Sequence, residues 1–259
     1  MVSAQADAGW LTATLLTSIR VTAMSAFLPI FGATAVPGMI RVVWVVGLAA
    51  TFTAALPTLN AAPIADLTSL VVAGLGEALI GAALAFGLLT AYAATQVTGR
   101  VLDIQVGFGV ASILNPTTRS MSSLLGALWG ICALAAFLAM DGHLVLIRAL
   151  SASLSAYPPG QFGLQVDGEA LLRQSSAMYA FGLALAAPVM LLLLLADIAM
   201  AVMARTLPQL NVFVLSFPIK IVLGLSGLAF SIRYANGVLQ ALFAHTYQYW
   251  DRISTGVNP

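Results

Sequence analysis

The sequence predicts an all-α, multi-helix membrane protein, and three observations carry that prediction. Of its 259 residues, 61% are hydrophobic. Only 7% are charged, where a soluble domain carries roughly a quarter, and so few charges cannot build a water-facing surface. Apolar runs near the roughly 20 residues that a helix needs to cross hydrocarbon recur along the chain. They cover Trp10–Thr34, Gly38–Pro57, Thr68–Thr98, Met121–Met140, Ala177–Ala204 and Val212–Tyr234. Six spanning helices are expected.

The first run follows "MVSAQADAGW", which lacks a basic leader, and Arg20 interrupts it, so a cleaved secretory signal is not expected. The third run covers about 31 residues, roughly 46 Å at helical rise, and must tilt, bend or leave the bilayer. Asp141-Gly142-His143 ends the fourth with turn chemistry. Leu144, Ile147, Leu150 and Leu154 then recur at helical spacing around Arg148 and Ser151, predicting a short amphipathic helix along the interface. Tyr157, Pro158, Pro159 and Gly160 stop it, and Asp167 and Glu169 make residues 157–176 a water-exposed connection. Pro188 and Pro218 lie inside the fifth and sixth runs, which should be kinked.

Arg41, Arg100, Arg119 and Arg205 fall in alternate connections, while Asp66, Asp167, Glu169 and Arg173 fall in the others. The positive-inside rule places the first set in the cytoplasm and both termini outside, against the pull of Arg233 and Arg252. Arg20, Glu77, Asp197 and Lys220 sit within apolar runs, where each costs about 2.5 to 3.5 kcal/mol at a lipid-facing helix centre. They must face protein or water. Ala73, Glu77, Gly81 and Ala85 share a small-residue face on which another helix can approach closely.

Other chemistries are poorly represented. The formal net charge is +1 with no Lys/Arg block, which excludes nucleic acid as a main partner. Enzyme, metal and cofactor motifs are absent, and His143 and His245 stand far apart. Cys132, the single cysteine, reads as packing.

The segment "VLDIQVGFGVASILNPTTRS", residues 101–120, is too glycine-rich for a good helix and too apolar for a solvated loop. Non-helical chain at membrane depth survives only when buried in protein or lining a wet cavity. Gly107 and Gly109 bracket Phe108, and Asn115-Pro116 suits the start of a new helix. Such a segment either closes an opening with its apolar side chains or is a tucked connecting loop, and both readings stand at this level.

"LDIQVGFGVASILNPTT", "DGHLVLIRALSASLSAYPPG" and above all "ARTLPQLNVFVLSFPIK", preceded by "ALAAPVMLLLLLADIAM", resemble the FliR family of flagellar and type III secretion export-apparatus proteins. The motifs follow in the family's order over most of the chain. The resemblance implies a non-enzymatic, cofactor-free subunit in an inner-membrane export gate at the flagellar basal body. Its partners would be FliP, FliQ, FlhB and the exported flagellar proteins. It further implies a FliP-like part over residues 1–176, then a FliQ-like hairpin and tail over 177–259. Ile104, Val106, Gly107, Phe108, Gly109, Val110, Asn115 and Pro116 match the family's pore plug. Pro208, Gln209, Leu210 and Asn211 match the hairpin tip, and Pro218 and Lys220 match the Pro-x-Lys that follows it; these residues, with Phe213 and Glu77, are assigned to partner interfaces. The rival reading from the residues alone is a self-contained proton-coupled or small-molecule transporter using Arg20, Glu77 and Asp197.

Overall fold

The structure is a computed structural model that describes residues 2–26, 37–56, 66–108, 123–161, 168–206 and 211–255. Among these residues it is all-α. The helices are α1 Val2–Ala26, α2 Gly38–Ala55, α3 Leu67–Val106, α4 Leu124–Ala139, α5 Gly142–Ala156, α6 Gly168–Thr206 and α7 Val212–Thr255.

Four of them, α2, α3, α6 and α7, are long and apolar enough to cross a membrane, or five spans if α4 and α5 form one broken span. Among the described residues α1 is not apolar enough to join them, its run being diluted by Thr12, Thr14, Thr17, Ser18, Arg20, Thr22 and Ser25; the rest of the expected first run, residues 27–34, lies outside the described residues. The long helices exceed their apolar runs: α3 has 40 residues, α6 has 39 and α7 has 44. At helical rise α3 alone is about 60 Å, twice a hydrocarbon core of about 30 Å. The end of α7 escapes an apolar-run scan because it is amphipathic, burying Leu239, Leu242, Phe243, Tyr249 and Trp250 at helical spacing. Pro188 and Pro218 both lie inside helices that run on past them.

The chain divides into two compact units that interleave in sequence. One comprises Met1–Thr90, Asp141–Gln174 and His245–Pro259, and the other Ala91–Met140 and Ser175–Ala244. Residue 176, where the FliP-like part is expected to end, lies inside the helix α6.

In the first unit α1 packs along α2 and buries Ala13, Leu16, Thr17, Arg20, Val21 and Met24, a stripe at helical period. The small-residue face of α3 receives α1. A Cβ added at Gly81 would lie 2.3 Å from the Arg20 carbonyl oxygen and 2.8 Å from Ala23 Cβ, so no larger residue fits. Asp141 takes a left-handed conformation, φ 54° and ψ 28°, and breaks the chain before α5, as the Asp-Gly pair predicted. The face that α5 buries differs from expectation. Leu146, Ala149, Leu150, Ser153 and Leu154 are buried while Leu144 and Ile147 are exposed, because the helix turns toward a polar group on α1. It is a packed helix of this unit.

In the second unit the last turns of α3 meet α4, α6 and α7. A Cβ at Gly99 would lie 2.0 Å from the Gly126 nitrogen, and Thr98 Oγ donates 2.9 Å to the Gly182 carbonyl of α6. Phe137 of α4 and Phe243 of α7 pack with ring centroids 5.5 Å apart.

The Gly81 contact yields a direct expectation. Gly81→Val should destabilise the purified protein by at least about 1 to 3 kcal/mol, since the methyls meet backbone. Gly47→Val, where an added Cβ meets nothing within 4 Å, should be near neutral. Thermal unfolding midpoints of both variants in the same detergent check the pair.

Candidate functional site

Three places in the chain hold the residues that the sequence marks as functional. The first is the charge pair at the centre of the first unit. Arg20 Nε donates to Glu77 Oε2 at 2.6 Å, Nη1 to Ser153 Oγ at 3.2 Å and Nη2 to the Tyr157 carbonyl at 2.8 Å. The other carboxylate oxygen, Glu77 Oε1, accepts from the Gly160 amide at 3.2 Å. Side-chain exposure is 0% for Arg20 and 2% for Glu77. One guanidinium thus ties α1, α3, α5 and the Tyr157–Gly160 turn together. Glu77, assigned above to a partner interface, instead spends its charge inside the chain, because a buried carboxylate needs a cation and donors at hydrogen-bonding distance.

The second place is the end of α3. The helix continues through Ile104 and Val106, so these two residues belong to α3 and precede the glycine-rich stretch that begins at Gly107. The reason lies in the residue order: glycine enrichment starts only at 107, and Leu102, Asp103 and Val106 are buried on one face. Ile104 is exposed, whereas Val106 packs so closely on Gly224 of α7 that a Cβ there would lie 2.6 Å away. Gly107 ends the helix at φ 101°, which L side chains rarely adopt, and its amide donates 3.1 Å to the Asp103 carbonyl. A Cβ at Gly107 would also sit 3.0 Å from the Phe217 ring. Phe108 is half-buried, and Gly109, Val110, Asn115 and Pro116 lie outside the described residues.

The third place is the α6–α7 hairpin. Pro208, Gln209 and Leu210, and the side chain of Phe213, lie outside the described residues. Asn211 precedes α7 and is exposed, and its Oδ1 accepts from the Val214 amide at 3.4 Å. Lys220 Nζ bonds Asp197 Oδ1 at 2.6 Å, with 22% and 43% of the two side chains exposed. Pro218 is exposed two residues before it. Of the charges that the transporter reading uses, Arg20 and Glu77 pair with each other and Asp197 pairs with Lys220.

Two polar groups escaped the sequence reading. Gln174 is buried and donates to Thr90 Oγ at 2.8 Å and to the Gly87 carbonyl at 3.3 Å, while its Oε1 meets His245 Nδ1 at 3.0 Å. Beside it Tyr249 and Trp250 donate to the Ala83 and Leu84 carbonyls of α3 at 2.9 and 2.8 Å. Asp103 is the other, 8% exposed, accepting from the Leu125 amide at 3.2 Å. An acidic residue in the apolar segment 101–120 was a usable signal for Asp103, as one inside an apolar run was for Glu77. No cluster of His, Cys, Asp or Glu suited to a metal occurs among the described residues.

Comparison with known proteins places these features in a family. The chain matches the family of bacterial export proteins, family 1, over residues 11–246. It is 31% identical over 214 residues to the flagellar biosynthetic protein FliR of Bacillus subtilis (strain 168), covering 80% of this chain and 81% of that protein. Against the flagellar biosynthetic protein FliR of Escherichia coli (strain K12) the identity is 32% over 224 residues, with 85% and 84% covered. The Yop proteins translocation protein T of Yersinia pestis is 33% identical over 151 residues, covering 55% of this chain and 58% of that protein.

The buried pair predicts an asymmetric mutational response. Arg20→Met strands an unpaired carboxylate and should cost about 3 to 5 kcal/mol, whereas Arg20→Met with Glu77→Leu should recover a large part of that loss. Denaturant unfolding of the two variants in detergent, read by circular dichroism, gives the comparison.

Proposed function

The chain belongs to the bacterial export proteins, family 1, and from that membership we propose that it is a non-enzymatic structural subunit of the type III flagellar protein export gate. In this reading it helps to form and plug the secretion pore in the bacterial inner membrane, at the flagellar basal body. FliP and FliQ share the gate, FlhB lies nearby, and exported flagellar proteins pass through. The match over residues 11–246 carries the export reading. Support for a flagellar setting comes from coverage: the two flagellar relatives align over 80% or more of this chain and the Yersinia protein over 55%.

The structure supports a subunit that meets other protein. Long apolar faces stand uncovered on α2, α6 and α7, among them Met39, Val43, Leu191, Leu195, Val222 and Phe230. The plug assignment is supported by the ending of α3, where Gly107 halts the helix against Phe217 and starts the Gly-Phe-Gly stretch. With Ile104 and Val106 in the helix, the plug is assigned to Gly107, Phe108, Gly109, Val110, Asn115 and Pro116. Apolar side chains across an opening exclude water and ions without any chemistry. The hairpin tip, Pro208, Gln209, Leu210 and Asn211, and after it Phe213, Pro218 and Lys220 in α7, are assigned to the surface that meets FliQ and FlhB.

Replacing Gly107–Val110 with a shorter flexible linker should make the assembled gate conduct ions at rest, measured as current across a planar bilayer. Unchanged conductance of a fully assembled complex refutes the plug. At the hairpin, Lys220→Glu sets two carboxylates against each other and should abolish co-purification of the partner subunits. The exchange Asp197→Lys with Lys220→Glu should restore it, as judged by the mass of the intact complex in mild detergent.

A further inference from the structure

A small cleft lies in the first unit between the start of α6 and the end of α7, lined by Arg173 and Gln174 on one side and His245, Gln248, Tyr249 and Arg252 on the other. The four α7 residues recur at i, i+3, i+4 and i+7 and form one helix face. Its floor is buried and fixed by hydrogen bonds. Gln174 Nε2 donates to the Thr90 hydroxyl and the Gly87 carbonyl, which turns Oε1 toward His245 and sets the ring proton on Nδ1, 3.0 Å away. Tyr249 is held by the Ala83 carbonyl. The rim is exposed and consists of Arg173, Gln248 and Arg252.

Two guanidinium side chains thus border one opening, and among the described residues no carboxylate lines it. Arg173 Nη2 bonds Glu169 Oε1 at 2.5 Å, but both side chains are more than half exposed, so the pair contributes little and can be shared with an incoming anion. Arg252, in the last turn of α7, makes no ion pair or hydrogen bond among the described residues. Its neighbour Asp251 is one residue away on the helix and points elsewhere. The cleft measures about 30 Å³, and a single water needs about 10 to 15 Å³, so it accepts the oxygens of one small anionic group while the rest of the ligand stays outside. Its level on the helices is also informative. Arg173 stands four residues before the apolar run of α6 that begins at Ala177, and between His245 and Arg252 the Tyr247 and Trp250 rings stack with centroids 5.8 Å apart. Arginine beside tyrosine and tryptophan at the end of a spanning helix is the composition found at the depth of lipid phosphates.

We propose that this cleft binds the phosphate of an anionic phospholipid head group, with Arg173 and Arg252 as the cations that grip its oxygens. The proposal is independent of the export reading, and its test uses the purified full-length chain in a mild non-ionic detergent. Titration with dioctanoyl phosphatidylglycerol, followed by native mass spectrometry, reads the affinity of a single bound lipid. Arg252→Gln and Arg173→Gln should each weaken it by at least about tenfold, the loss of one charge-assisted contact. Glu169→Gln, which removes the competing carboxylate, should tighten it severalfold. Dioctanoyl phosphatidylcholine, whose phosphate is countered by its own choline, should bind at least about tenfold more weakly than the glycerol lipid. Unchanged phosphatidylglycerol affinity in both arginine variants overturns the site. Inorganic phosphate that binds as tightly as the lipid and is lost in the same variants overturns the lipid assignment in favour of a free anion. Both arginines are exposed, so thermal midpoints should stay at the wild-type value. Should either variant fail to fold, Glu169→Gln decides: tighter binding supports the site and unchanged binding overturns it.

Discussion

In a chain with 7% charged residues surrounded by hydrocarbon or by other apolar helices, water is not at hand to satisfy polar groups, and this constraint organises the molecule. Each intramembrane charge discussed here has a partner supplied by the chain. Arg20 makes three bonds, Glu77 two, Asp197 and Lys220 meet each other, and Asp103 holds the start of α4. Many hydroxyls obey the same rule at lower cost, with Thr17 Oγ1 and Tyr247 Oη as exceptions among the described residues. Thr14, Thr22, Thr51 and Thr53 each return their proton to the carbonyl four residues back. Thr98 does so and also reaches the Gly182 carbonyl of a second helix.

Satisfying these groups requires backbones to come close, and glycine decides where. Gly81 admits the Arg20 carbonyl and so brings its guanidinium toward Glu77. Gly99 and Gly126 touch, which places Gln96 and Asp103 on the first turn of α4. Gly87 lies against the Trp250 and Tyr249 rings, whose donors reach the Leu84 and Ala83 carbonyls. Hydrophobic transfer contributes little between helices in lipid, so close packing and hydrogen bonds must hold each unit. A subunit built this way leaves wide apolar faces uncovered, which suits a member of an assembly.

Much of this was legible in the residues because composition and period are local properties. The all-α class, the helix breaks at Asp141-Gly142 and Pro158-Pro159, and the small-residue face around Glu77 follow from spacing alone. The family could be read from motifs such as Pro-Gln-Leu-Asn and Gly-Phe-Gly. Less legible were extents and partners. The helix α3 runs six residues into the segment set aside as irregular, since Val101 to Val106 carry no glycine and bury one face. The amphipathic turns that close α7 and open α6 fall below any apolar-run threshold, though tertiary contacts keep them helical.

The sequence by itself determined that this chain lives among apolar surroundings as a bundle of helices, that its few internal charges must be neutralised, and that it resembles an export-gate subunit. Periodicity, composition and motif order are sufficient for each of these. Only the tertiary structure decided which charge meets which: Glu77 turns inward to Arg20, 57 positions away, and Lys220 bonds Asp197. It also showed that α5 buries Ser153 toward Arg20 and that Asp103 joins two helix ends. A single residue carries its need for a partner wherever it stands. The partner's identity depends on which backbones pack closely enough to bring it within about 3 Å.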